Sequence, residues 1–111
     1  MQQYDVKVSE VALWSLQDIE SFNAPRFGSE QVADFVDNLL LTSVKSIKED
    51  PSRYRFNARL ADKGVKLRER ITSDGNYLIL YDFDGKSVDI LLFMSTKQDL
   101  EALLHRYMIL K

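Results

Sequence analysis

Apolar residues along this chain follow two periods, and the switch between them divides it in two. After a short opening the first half repeats at helical spacing, whereas the second half alternates or runs continuously, as strands do. Tyr4, Val6 and Val8 alternate with Asp5 and Lys7, which predicts a short strand with one apolar face. Ser9 is placed to cap a helix that begins at Glu10, its hydroxyl accepting a backbone N–H that the first turn leaves unpaired. Ala12, Leu16, Ile19 and Phe22 give this helix one buried stripe, and Asn23-Ala24-Pro25 is expected to end it.

A second helix is predicted from Ser29, with Glu30 in the first turn where a negative charge suits the helix dipole. Val32, Val36, Leu39, Leu40, Val44 and Ile47 supply its long apolar side, and Pro51 stops it by pushing Asp50 out of helical geometry. Residues 52–64 read as a basic surface loop. Strands are predicted at 65–72, 77–83 and 87–94, with Asp74-Gly75 and Asp84-Gly85 marking the turns between them. Thr96, with Asp99 three residues on, is expected to start a last helix that carries Leu100, Leu103, Leu104 and Tyr107 on one side. The predicted fold class is α+β: an N-terminal edge strand, an antiparallel helical hairpin packed on an antiparallel sheet of three to four strands, and a short C-terminal helix.

Register decides which face of that sheet carries charge. In the strand at 65–72, Lys66, Arg68 and Arg70 alternate with Val65, Leu67 and Ile71. A three-residue loop at Ser73-Asp74-Gly75 sets Arg70 opposite Leu78 and Arg68 opposite Leu80, leaving the cations on a side that no helix covers. A two- or four-residue loop sets them opposite Ile79 and Tyr81 instead. The three-residue loop is the expectation, because Tyr77, Ile79 and Tyr81 then join Val88, Ile90 and Leu92 under the helices. The open face would hold the cations with Leu78, Leu80, Asp82, Asp89, Leu91 and Phe93.

Composition changes the picture in one respect. The chain has 111 residues and a net charge of -2, with 45% hydrophobic and 29% charged residues, as expected of one folded domain spanning residues 1–111. The charge is unevenly spread. Residues 1–50 carry four Lys/Arg against nine Asp/Glu, while residues 53–70 carry seven against two. A general nucleic-acid binder is therefore not expected, whereas a basic patch on an acidic body suits one specific anionic partner. With no Cys and a single His, neither a disulfide nor a metal centre is expected. No apolar run approaches the ~20 residues of a membrane helix, and Met1-Gln2-Gln3-Tyr4-Asp5 does not read as a secretory signal. A cytoplasmic protein with no membrane association and no cofactor is the expectation. Trp14 and the Phe residues of the helices fall at packing positions and are expected in the core. Histidine is a side chain suited to acid–base work, which makes His105 a candidate, but a lone His beside Arg106 on a polar helix side is more often simply solvated.

Taken in order, several features resemble the RelE/ParE toxin superfamily of bacterial type II toxin–antitoxin modules. They are Tyr4-x-Val6-x-Val8-Ser9, Ala12, Leu16 and Ile19, Ala33 and Phe35, the Asp50-Pro51 break, the basic strand, Tyr77-x-Ile79-x-Tyr81 and Val88-x-Ile90-Leu91-Leu92. The resemblance implies a growth-inhibiting toxin of the plasmid-stabilisation type, neutralised by a cognate antitoxin that wraps it; a homodimer is left open.

The family divides by mechanism. A RelE-like member cleaves messenger RNA in the ribosome, and that branch would use Lys66, Arg68 or Arg70 for phosphate charge and His105 for proton transfer. Its two further arginines fall here on Leu78 and Gln98, and its late tyrosine on Leu104. A ParE-like member poisons DNA gyrase and lacks those groups; Ser95-Thr96-Lys97-Gln98-Asp99 resembles the polar segment such members carry after the last strand. The vacated positions favour the ParE-like reading. On it, Arg59, Lys66, Arg68, Arg70 and Lys97 are the expected target- or phosphate-binding residues. A third reading is an inactive member that retains partner binding alone.

Overall fold

The computed structural model describes residues 4–107; Met1–Gln3, part of the stretch read against a secretory signal, lies outside the described residues. In chain order the elements are β1 (Asp5–Val8), α1 (Glu10–Phe27), α2 (Ser29–Glu49), a 3-10 turn (Pro51–Arg53), α3 (Ala58–Asp62), β2 (Arg68–Ile71), β3 (Tyr77–Phe83), β4 (Ser87–Ser95) and α4 (Leu100–Arg106). The predicted α+β layout holds. The sheet is mixed, in the order β1-β4-β3-β2, because β1 joins the edge of the meander parallel to β4.

Ser9 caps α1 as its chemistry requires, its Oγ accepting from the Ala12 N–H at 3.0 Å. Pro25 does not end that helix. Proline removes one donor, toward the carbonyl of Ser21, but both residues lie on an exposed turn, where an unpaired carbonyl is open to solvent. The helix runs on to Phe27 and stops at Gly28, whose φ of 91° is open to glycine alone at little cost. One residue therefore joins the two helices of the hairpin.

Both faces of the sheet are covered. Ala12, Leu16 and Ile19 of α1 and Val32, Val36, Leu39 and Ile47 of α2 pack on Ile79, Tyr81, Val88, Ile90 and Phe93. On the opposite face, Leu60 of α3, Leu67, and Leu100, Leu103 and Leu104 of α4 pack on Leu78, Leu80, Leu92 and Met94. Two-sided burial is why β3 and β4 read as near-continuous apolar runs. The face expected to lie open is thus a second core, and residues 52–64 are not a plain loop: Asn57 caps α3 by accepting from the Leu60 N–H, and Leu60 is fully buried. A bulge explains a further departure. Leu80 faces Leu92 while Tyr81 faces Ile90, so the extra residue, Leu91, breaks the alternation. Phe93 consequently joins the helix-hairpin side and Leu92 the α4 side, the reverse of the expectation.

The outer border of β2 is closed by the segment before α3. Asn57 N–H donates to the Leu67 carbonyl and Glu69 N–H to the Arg55 carbonyl, and Phe56 bridges to Arg68. Glu69 holds this seam with its side chain, accepting from Asn57 Nδ2 at 2.6 Å and from Arg55 Nη2 at 3.1 Å. Arg55 is 76% exposed and Glu69 only 6%, so solvent screens the ion pair and the amide contact carries most of the stabilisation. Glu69→Ala, which leaves the Asn57 amide without its acceptor, is expected to cost about 1–3 kcal/mol. Urea unfolding checks this, and a cost equal to that of the exposed substitution Glu30→Ala would refute the role.

Candidate functional site

The predicted cationic face is not formed. Thr72 N–H donates to the Tyr77 carbonyl, so the loop is Ser73–Asn76 and one residue longer than expected. Asp74 is responsible: its Oδ1 accepts from the Asn76 N–H at 2.9 Å and from Thr72 Oγ1 at 2.6 Å, which draws Asn76 into the turn. Arg68 then pairs with Tyr81 and Arg70 with Ile79, and both emerge on the α1–α2 side. Arg70 Nη1 donates to Ser43 Oγ of α2 at 3.1 Å. Arg68 Nη1 donates to the Tyr54 carbonyl at 2.6 Å, its guanidinium 4.2 Å from the Phe56 ring centroid. Both half-buried arginines hold the fold together at the β2 border.

The other expected site residues lie elsewhere. Lys66 precedes β2 and is exposed, and Arg59 is exposed on α3. Lys97 follows β4. His105 is exposed on α4, which packs on the face opposite Arg68 and Arg70. The sheet itself separates Arg68 and Arg70 from His105, so those two cations cannot meet it at one phosphate. The positions that a RelE-like nuclease would use are also spent on structure. Leu78 and Leu104 lie in the second core, and Gln98 Oε1 accepts from the Ser95 N–H at 2.9 Å to close the turn after β4.

A different set of residues does converge. The last turns of α1 overhang the sheet and, with the ends of β3 and β4 and with α4, wall a groove of about 900 Å³. Asp18 of α1 is tied across it to the C-terminal end of α4, accepting from the Tyr107 hydroxyl and lying 3.5 Å from Arg106 Nη2. Arg26 and Lys97 line the same groove, and the Arg26 guanidinium sits 5.5 Å from the Phe27 ring centroid. An adjoining apolar hollow of about 250 Å³ is lined by Val32, Phe35, Phe27 and Tyr77 among others. Phe22 (76% exposed) and Phe27 (53%) stand at the rim, and Trp14 and Phe35 are also exposed, so these aromatics are not core as expected. The α1 stripe is Ala12, Ser15, Leu16 and Ile19; Trp14 falls beside it, and Phe22 lies where the helix has run past the sheet.

Partial burial, and then the bond to the Asp18 carboxylate, push the Tyr107 phenol up to about 12. A phenol raised above its unfolded value of about 10 stabilises the fold fully below that value and loses its contribution as pH climbs through the folded one. Stability is therefore expected to fall between about pH 10 and pH 12, and Tyr107→Phe should flatten that fall. Urea midpoints across the range check it; identical slopes in the two proteins would refute it.

Of the groove's cations, only Lys97 stood out in the sequence. Arg26 was hidden by reading Pro25 as a helix end. The Asp18–Tyr107 contact spans 89 residues and left no local signal.

The fold defines the class: an α+β chain with a helical hairpin on one side of a mixed four-stranded sheet and a short terminal helix beneath it. Among solved structures it is similar to a chain described as "Chromosomal ParDE TA system from P. aeruginosa", with a TM-score of 0.69 at 14% identity over 86% of this chain and 98% of that one. At that identity the likeness shows a shared fold. No family model and no curated protein matches the sequence.

Proposed function

We propose that this chain is the toxin component of a type II toxin–antitoxin module, ParE-like in mechanism. On this reading it inhibits growth in the cytoplasm by binding a cellular target such as DNA gyrase, and a cognate antitoxin neutralises it. The shared fold with a ParDE-system chain supports the toxin class. One observation favours binding over RNA cleavage: Leu78 and Leu104, at two of the expected nuclease positions, are buried in the core beneath α4. Stabilising charge in a phosphoryl-transfer transition state needs donors at the reacting group, and those positions supply none. Arg68 and Arg70 are engaged at the β2 border and His105 stands on the far side of the sheet.

Induction of the chain alone, followed by DNA-break and messenger-integrity measurements, tests this. Growth arrest with DNA breaks and intact messenger is expected. Cleaved messenger in translating ribosomes with intact DNA would replace the reading with the RelE-like one, and His105→Ala would then be the first variant to assay. A culture that grows unaffected would leave an inactive member that keeps only partner binding.

A further inference from the structure

The groove between α1 and α4 lies apart from Arg68, Arg70 and Leu78, and its chemistry points to an occupant of its own. Among the described residues three cations line it, Arg26, Lys97 and Arg106, against the single carboxylate of Asp18. That carboxylate is already held by Tyr107 and Arg106, so among the described residues of the lining no further acid faces Arg26 and Lys97. The excess of positive charge is local, since residues 1–50, which supply Arg26, carry nine acids against four bases, and Lys97 and Arg106 come from the end of the chain. Beside the cations lies the apolar hollow of Val32, Phe35, Phe27 and Tyr77. Asn23, Phe27 and Tyr77 line both spaces, which makes them one continuous surface with an apolar end and a cationic end.

Exposed rings at such a surface mark a place where something docks. We propose that this groove is a docking site for an acidic peptide segment of a partner protein, with an aliphatic or aromatic side chain seated in the apolar hollow and carboxylates directed at Arg26 and Lys97. Asp18 shows how a carboxylate is received there, with a phenol hydroxyl and a guanidinium as donors. A peptide is favoured over a nucleic acid by charge. The adjoining helix α2 carries exposed Glu30, Asp34 and Asp37, which repel a continuous polyanion but tolerate a few carboxylates placed over the cations. The apolar end likewise suits a side-chain anchor better than a phosphate backbone.

Selection of random twelve-residue peptides displayed on phage against the full chain tests this, with the soluble winners then titrated by fluorescence anisotropy. The expected winners are rich in Asp and Glu and carry at least one Leu, Ile or Phe. Their affinity should drop at least tenfold with Arg26→Glu/Lys97→Glu and similarly with Phe27→Ser. Lys86→Glu, an equal charge change per site at the exposed β3–β4 turn, should alter it less than twofold. All the substituted side chains are exposed, and circular dichroism verifies that the variants fold. Raising the salt from 50 to 500 mM should weaken binding, since the contacts are partly exposed. Neutral or basic winners, no winner at all, or acidic winners indifferent to the Arg26/Lys97 variant would each overturn the proposal. So would tight binding of a ten-nucleotide RNA that depends on Arg26 and Lys97 while acidic peptides fail. Growth arrest on induction without any selected peptide would sink the docking site and leave the toxin reading in place. Acidic, groove-dependent winners without arrest would do the reverse.

Discussion

Leu104→Ala is expected to lower the unfolding free energy by about 2–5 kcal/mol, which for a domain of this size moves the thermal midpoint down by roughly 10–20 °C. Leu104 is fully buried in α4 and shares its cluster with Leu78, Leu80, Leu92 and Met94. The loss combines the transfer free energy of the removed methyl groups with that of the cavity they leave. That cavity cannot close easily, because α4 is only seven residues long, begins at its cap Asp99 and is tied at the far end through Arg106 and Tyr107 to Asp18. Calorimetry on the purified chain checks the midpoint. A shift under 3 °C would mean that α4 contributes little and that the second core is less continuous than described.

Leu78→Arg, which installs an arginine where a RelE-like nuclease would carry one, is expected to destabilise the chain by about 3 kcal/mol or more and to confer no RNA cleavage. Leu78 is 8% exposed, and its strand partners are Ile71 on one side and Met94 on the other. Neither offers a carboxylate, so the guanidinium must either stay buried unpaired or pull the start of β3 toward solvent. The leucine is thus part of how this sheet is built, and an arginine cannot be placed there without disturbing the second core. Urea unfolding measures the cost, and a ribosome-coupled cleavage assay measures the activity. Cleavage by a stable Leu78→Arg protein would show that only one side chain separates this chain from a nuclease.

Much of the architecture could be read from local chemistry. Ser9 capping α1, the helical spacing of Val32, Val36 and Leu39, the break at Pro51 and the Asp-Gly turns are signals whose physical cause lies within a few residues of the result. What escaped depends on contacts made at a distance or on a count of one. Asp74 lengthened a turn by a single residue and moved Arg68 and Arg70 to the other face. The extra residue Leu91 exchanged the sides of Leu92 and Phe93. Thr96 was the expected start of the last helix, yet its Oγ1 donates to the Gly75 carbonyl and Asp99 caps α4 alone. Because strand side chains alternate with a period of two, a one-residue error inverts everything beyond it. The basic run over residues 53–70 was visible, but not that Arg55 would answer Glu69, Lys63 would answer Glu101 and Arg68 would brace backbone carbonyls. The candidate groove was the least legible feature, being assembled from α1 and the far end of the chain.

A sheet roofed on both sides has little left to offer a newcomer. A partner would meet helix backs, rims and the edge strand β1 rather than a sheet face. Exchanging a side chain on those helix backs would alter what is met there while leaving strand pairing untouched.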